Sequence, residues 1–450
     1  MSPVETASNE QAQRERTAAG GHRDRTAAGG HRERAPAGLT QRSSLLMAPF
    51  GPSREFMSWV YQLNGRLDID ALAGAIDDVV SRHDMLRVRF ESPGGREGAR
   101  DGRLEQVVGR FHSGVLDIVH LDDRPKAQGL AAAVKAVETE YRDLSPWEQP
   151  WLEATLYVIA PKTNVLAVWV AEALVDGDSG TLVAAEISRA YAERAGRPVR
   201  AMPEASTASY LEWVLDHPVP DLVQERAAEH WKEMAALPIA AGSWPMAVGD
   251  RRVTRFFKVP VDEWQRMARG TPALAATPYV VVLSWLEMAL ARVVGAEEFA
   301  VTSAVSNRRH PMTRRMIGSF IGPVRLRAEV HAADRLEDVS PRVMAALRDA
   351  VAHSAVPVPL AEAWAQAPAP FMPPPPEVSF FMFAEREGLD LAGVRQRRFR
   401  VHMGARDVLR VNCTPDEEGG RNFFFISASA PPELLDELVV AFQSLMAAAG

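Results

Sequence analysis

Strand-like and helix-like runs alternate through both halves of this chain, and that alternation limits the fold more than any other feature. "DIDALAGAIDDVVSRH" (68–83) places Leu72, Ile76, Val79 and Val80 on one helical face behind Asp68 as N-cap, and "LRVRF" (86–90) then alternates as a strand. A helical run follows over 128–142. "EATLYVIA" (153–160) and "VLAVWVA" (165–171) read as two strands joined by a Pro-Lys-Thr-Asn turn, and "TLVAAEISRAYAERAG" (181–196) as a helix closed by Gly196. The second half repeats the habit. Helical segments stand near 207–216 and 223–236, at 279–294 behind Thr277-Pro278, at 337–353 and at 431–447. Strands are expected at 253–260, 298–306, 324–330, 377–384, 398–403, 408–413 and 423–429. A Pro-rich run over 356–376 is expected to be a loop, because proline does not sit in helix interiors or central strands. The pattern predicts an α/β or α+β class with two similar lobes, an N-terminal one over 39–200 and a C-terminal one over 201–450, with 197–206 crossing between them.

Residues 1–38 read differently. "RTAAGGHRD" (16–24) is followed by "RTAAGGHRE" (25–33), and such small, Gly-paired, mixed-charge sequence cannot bury enough surface to offset its ordering entropy. A disordered tail is expected there, with His22 and His31 solvated rather than metal-bound. A net charge of −7 disfavours nucleic acid or an anionic membrane as the main partner. The single cysteine, Cys413, excludes a disulfide within the chain and fits a reducing, cytoplasmic setting; within "VLRVNC" it reads as a core residue rather than a nucleophile. No secretory leader is visible, and the longest apolar run, "YVVVLSWLEMALARVVG" (279–295), carries Glu287 and Arg292 and reads as a buried helix rather than a membrane span.

Several stretches, in order, carry a resemblance. They are "LTQRSSLL" (39–46), "RHDMLRVRF" (82–90), "SYLEWV" (209–214) and "SNRRHPMTRRMIGSFIGPVRLR" (306–327). With "VWVAEALVDGDSG" (168–180) they resemble the condensation domain of nonribosomal peptide synthetases, within the chloramphenicol-acetyltransferase-like acyltransferases. That likeness implies an α/β fold of two similar lobes, each a mixed sheet flanked by helices, with a tunnel at their interface. It implies carrier proteins as partners, substrates held on their phosphopantetheine arms, a small-molecule acceptor, and no cofactor of the chain's own. The family writes His-His-x-x-x-Asp-Gly at its centre, and here the chain has Ala171-Glu172-x-x-x-Asp176-Gly177. The second histidine acts in the family as general base or positions the attacking amine; the aspartate pairs with an arginine of the other lobe, for which Arg308 is the candidate. Ile321-Gly322 departs from the family's Val-Asn.

The residues themselves define what the swap can do. In the strand before the turn, Val165, Ala167, Trp169 and Ala171 share one face, and Leu166, Val168, Val170 and Glu172 the other. Glu172 ends an apolar row. A carboxylate there stands either at a cavity, where desolvation raises its pKa into the range of a usable base or acid, or at the solvated end of a strand. Asp176 and Gly177 form a turn before a helix, so Asp176 is either a local cap or the partner of Arg308. Asp178 is an exposed turn residue or a second carboxylate beside Glu172, and Ser179 is an N-cap candidate. His310, two residues after Arg308, is a candidate for a position near the tunnel, and Arg314 and Arg315 lie on a solvated face or meet a phosphopantetheine. His83 is read as structural, and the other histidines, including His217, His230 and His353, show no metal-ligand spacing. Two functions are expected of such a chain. One is a free-standing condensation-like acyltransferase of secondary metabolism with Glu172 in the histidine's role. The other is a non-catalytic domain that docks carrier proteins or recruits a tailoring enzyme.

Overall fold

A computed structural model of the chain describes residues 33–47, 56–93, 98, 100–143, 152–199, 201, 203–238, 253–270, 276–367, 378–383, 388–399, 408–427 and 430–448. Its strands, in chain order, are β1 (Arg34–Pro36), β2 (Phe56–Asn64), β3 (Val88–Glu91), β4 (Glu105–Val108), β5 (Leu116–His120), β6 (Leu152–Ala160) and β7 (Thr163–Ala171) in the first half. The second half contributes β8 (Val253–Val259), β9 (Glu298–Ser306), β10 (Ile321–Glu329), β11 (Val378–Met382), β12 (Arg395–Phe399), β13 (Leu409–Pro415) and β14 (Arg421–Ser427).

Two mixed sheets organise the described residues from Arg34 onward. The first has strand order β12-β2-β7-β6-β5, antiparallel except for β5 beside β6. The second has order β10-β9-β11-β13-β14-β8, with β11 parallel to both its neighbours. A small third sheet joins β1, β4 and β3. The central β7 is buried at all nine positions, since it is apolar on both faces and both faces are covered. Each fully buried valine or leucine there contributes roughly 1.5–3 kcal/mol. The helices Ile69–Arg82 and Gly177–Arg194 pack against each other beside this sheet, and Lys126–Asp143 packs on β6 and β7.

Local sequence explains the element ends. Asp68 caps the helix Ile69–Arg82 by accepting from the Ala71 N–H at 3.0 Å. Thr277 accepts from the Val280 N–H, and Pro278 takes the first position of the helix Pro278–Val294, where its missing N–H has no partner to lose. Gly196, at φ +61°, takes the left-handed conformation that ends the helix Gly177–Arg194.

The structure corrects three expectations. The Pro-rich run is not all loop: Val358–Gln366 is helical, because Pro357 sits at the N-cap and Pro359 within the first turn, positions that need no amide donor. Residues 368–377 fall outside the described residues. The stretch assigned to the tail is structured at its end, where β1 pairs with β4 in the register Arg34–Val107; the tandem repeat, with His22 and His31, lies outside the described residues. Finally, the cut at residue 200 does not separate the sheets. β12, from the C-terminal half, forms the edge of the first sheet by pairing with β2. Cys413 is fully buried in β13, and burial pushes its thiol up to about 12, as befits a core residue. Among the described residues no helix is long and apolar enough to cross a membrane.

Candidate active site

The strand β7 delivers the chain to a short turn, and the turn delivers it to the N-terminus of the helix Gly177–Arg194. The Leu174 N–H returns to the Ala171 carbonyl at 2.9 Å, so the chain reverses within a few residues. Asp176 is the helix N-cap: its Oδ1 accepts from the Ser179 N–H at 2.8 Å. Ser179, expected as a cap, is instead a buried position inside the first turn. Gly177 is the first helical residue.

The cap is also half of a buried ion pair. Arg308 donates from Nη2 to Asp176 Oδ1 at 2.8 Å and from Nε to Asp176 Oδ2 at 3.0 Å, a two-pronged contact with both side chains nearly excluded from water. The rest of the guanidinium is engaged as well. It donates to the carbonyls of Thr313, Met316 and Gly318 and to Ser179 Oγ, and it lies 4.3 Å over the Phe320 ring. Ser179 Oγ accepts from the Gly318 N–H at 3.0 Å, and Asp176 Oδ2 accepts from the Phe320 N–H at 3.2 Å. The two alternatives for Asp176 are therefore both realised. One carboxylate caps a helix of the first half and anchors the 308–320 segment of the second. Gly318 has no room for a side chain: a Cβ would stand 2.2 Å from the Tyr210 ring. The Tyr210 hydroxyl donates to the Ser319 carbonyl at 2.9 Å, tightening the same seam.

Glu172 occupies the turn just past β7, four residues before Asp176. Its side chain is accessible to water, yet burial is the larger influence on its pKa and raises it above 4.5, with Arg410 acting in the opposite direction. Solvent reaches the side chain while the protein around it still desolvates the carboxylate: exposure governs access, and the surrounding protein governs the pKa. Arg410 is half-buried on β13 of the second sheet, over the Phe381 ring at 5.5 Å. Glu172, from the end of β7, thus shares a field with a cation of the other sheet. That arrangement can hold a proton, accept one, or orient a charged group between the sheets.

The remaining sequence candidates lie further out. Asp178 is half-exposed with Oδ2 at 3.7 Å from Arg308 Nε, at the margin of the ion pair. His310 is exposed; its ring packs near Trp213 and His217, and its Nδ1 accepts from the Met312 N–H. Arg315 reaches Glu204 on the exterior. His83 is buried with Nε2 at 3.7 Å from Glu186. Burial would raise the Glu186 carboxyl, but His83, the Ala205 N–H, Arg189 and Arg82 outweigh it and hold it at about 2. This is a structural ion cluster behind the helix, as read for His83. Arg410 was missed in the sequence. Its one signal was an arginine set among alternating apolar residues in "VLRVNC", a run otherwise read only for Cys413.

Two mixed sheets, helices on their faces and an Asp-Gly turn bolted to an arginine of the other half define the two-lobed condensation-type fold. The family model for the Condensation domain matches residues 45–362, and the chain belongs to that family. It is 25% identical over 311 residues to cyclosporin synthetase simA of Tolypocladium inflatum, covering 66% of this chain and 2% of that protein. The chain thus spans a small part of the length of such relatives. Among solved structures it is similar to the complex of the X-domain and OxyB from teicoplanin biosynthesis, with TM-score 0.70 and 22% identity over 95% of this chain and 96% of that one. It is equally similar in fold to the first condensation domain of the calcium-dependent antibiotic synthetase in complex with substrate analogue 2a, with TM-score 0.70 and 18% identity over 92% and 96%.

Proposed function

We propose that the chain is a condensation-type acyltransferase of nonribosomal peptide or related secondary metabolism in which Glu172 takes the position of the family's second histidine. The observation that supports this reading is the state of Glu172: a carboxyl that water can reach, enclosed by protein, with its pKa raised by burial. In the reaction, an amine or hydroxyl attacks the carbonyl of an acyl or aminoacyl thioester carried on phosphopantetheine. The new C–N or C–O bond forms as the C–S bond breaks. Glu172 accepts the nucleophile's proton, and the proton passes to the departing thiolate. Arg410 lends positive charge to the developing oxyanion. Asp176 and Arg308 keep the turn in place and take no part in proton transfer.

A second reading is supported by the likeness to the X-domain, a fold neighbour whose structure is titled as a complex with OxyB. In that reading, a chain with Ala171 and Glu172 in place of two imidazoles is a docking module, and Glu172 is incidental. The experiment that separates the two is intact-mass detection of acyl transfer from an acyl-loaded carrier protein to a panel of amines, with the unsubstituted chain and with Glu172→Gln. The acyltransferase reading expects transfer by the first and a loss of at least 100-fold in the second, with carrier binding retained. Transfer that survives Glu172→Gln unchanged ends the role given to Glu172. Carrier binding without any transfer by the unsubstituted chain leaves the docking reading standing.

A further inference from the structure

Three metal-competent side chains, two of them one helical turn apart and the third on another helix, meet away from the site described above. The helices Asp221–Ala235 and Leu336–His353 pack together and bring His230 of the first against Asp349 and His353 of the second. One ligand atom from each lies within 4.8 Å of the others. The two imidazoles stack at 4.0 Å with their planes 10° apart, and Asp349 reaches both: its Oδ2 is 3.6 Å from His230 Nδ1, and its Oδ1 is 3.6 Å from His353 Nδ1. His353 Nδ1 also lies 2.9 Å from the Asp349 carbonyl; donation there makes Nε2 the nitrogen with a free lone pair. His230 has only 10% of its side-chain surface exposed, and its Nε2 is buried with no hydrogen-bond partner. A cleft of about 250 Å³ opens beside the rings, lined by Arg226, Glu229, His230, Glu233 and His353.

From this geometry we infer a binding site for one divalent late transition cation of the zinc class, with His230, Asp349 and His353 as ligands. The chemistry of the set selects that class. Two imidazoles with one carboxylate suit zinc, copper or nickel, whereas calcium and magnesium take oxygen ligands. The stacked rings hold their in-plane lone pairs in parallel planes, so the more exposed His353 must turn out of the stack to bring its nitrogen, with His230 and Asp349, to the distance of about 2.0–2.2 Å that zinc requires. Glu229 and Glu233 add negative field at the mouth of the cleft, against the single opposing charge of Arg226.

The place of the site in the fold gives it a consequence. At the end of the same helix, Ser354 Oγ donates to Asn307 Oδ1 at 2.7 Å, and Asn307 Nδ2 donates to the Ser354 carbonyl at 3.0 Å. On the other helix, Trp231 Nε1 donates to the Val356 carbonyl at 2.8 Å. A cation bridging the two helices fixes both ends of this frame, and Asn307 precedes Arg308, the anchor of the Asp-Gly turn. The site is therefore a structural clasp on the segment that carries Arg308.

The test uses the full chain with His22→Ala and His31→Ala, so that the tail imidazoles contribute nothing, and zinc chloride as the only probe. Calorimetric titration should show one zinc per chain in the micromolar range or tighter. His353→Gln and Asp349→Asn, both at accessible positions, should weaken it at least tenfold. Zinc at a hundred times its dissociation constant should raise the Tm by about 3 °C, a shift lost in both variants. Cobalt(II) bound to the unsubstituted cluster should show visible absorption of mixed nitrogen and oxygen ligation, a readout independent of whether the variants fold. The inference is overturned by the absence of saturable binding at micromolar zinc, by a cobalt spectrum indistinguishable from the aqueous ion, or by unchanged zinc affinity in folded His353→Gln.

Discussion

Replacing Asp176 by alanine is the sharpest test of how the site is held. The substitution strands the Arg308 guanidinium in a buried position, where it has lost two charge-assisted bonds to Asp176 and keeps neutral acceptors and the half-exposed Asp178 carboxylate 3.7 Å away. Breaking a buried pair by removing one partner costs about 3–5 kcal/mol. The lost N-cap bond to Ser179 adds about 1 kcal/mol. A total of roughly 4–6 kcal/mol is a large part of the 5–15 kcal/mol that holds an ordinary domain folded. Asp176→Asn keeps a capping oxygen but not the charge, so it should cost about 1 kcal/mol less than alanine. Adding Arg308→Met to Asp176→Ala removes the stranded cation, and the double variant should be more stable than the sum of the two single losses by about 1–3 kcal/mol. Urea unfolding followed by circular dichroism and tryptophan fluorescence gives the midpoints, and coincident transitions license the comparison. The reasoning fails if Asp176→Ala costs less than about 1 kcal/mol, or if the double variant loses as much as the two singles added together.

Two further outcomes follow, one from a buried carboxyl elsewhere in the core and one from the seam that holds Arg308. Glu287 is fully buried on the helix Pro278–Val294, its Oε1 has no hydrogen-bond partner, and burial raises its carboxyl well above 4.5 despite Arg342 nearby. The folded chain therefore keeps a proton that the unfolded chain releases, so this group's stabilising contribution is complete below pH 4.5 and is lost as pH rises toward the folded value. Glu287→Gln should be more stable than the parent near pH 7, and the gap should shrink as pH falls to 4; a gap that is independent of pH in urea titrations would refute the assignment. Gly318→Ala should cost about 1–3 kcal/mol, because the new methyl meets the Tyr210 ring and the 318–320 backbone carries the contacts to Ser179, Thr40 and Tyr210. A Tm within 1 °C of the parent would show that the ring moves aside freely.

Much of the fold was legible from pattern alone, and the reasons are local. The helix over 68–83 is marked by its cap and its 3.6-residue stripe, and β9 matched its expected limits of 298–306 because an apolar run there ends at polar residues on both sides. The short strands β4 and β5 were not foreseen, because four or five residues carry too little periodicity. The helix Val358–Gln366 was hidden by its prolines, which mark a helix start as readily as a break. At the site, the likeness to the family named Asp176 and Arg308 as a pair that the structure contains, and the cap, offered for both Asp176 and Ser179, belongs to Asp176. His310, near Arg308 in sequence, turns outward to Trp213, since two residues of separation say nothing about direction once a turn intervenes.

The sequence by itself determined most of the long helices and many of the strands, that a carboxylate follows the central strand where the family has an imidazole, and that an aspartate and an arginine were available to tie two halves together. Those are short-range facts, written in periodicity, caps and spacing. The tertiary structure alone decided that β12 crosses back to complete the first sheet, that the charge of Arg410 acts on Glu172, and that His230 meets Asp349 and His353. Each of these joins residues far apart along the chain, and such meetings are set by the packing of whole sheets and helices, which no local pattern encodes.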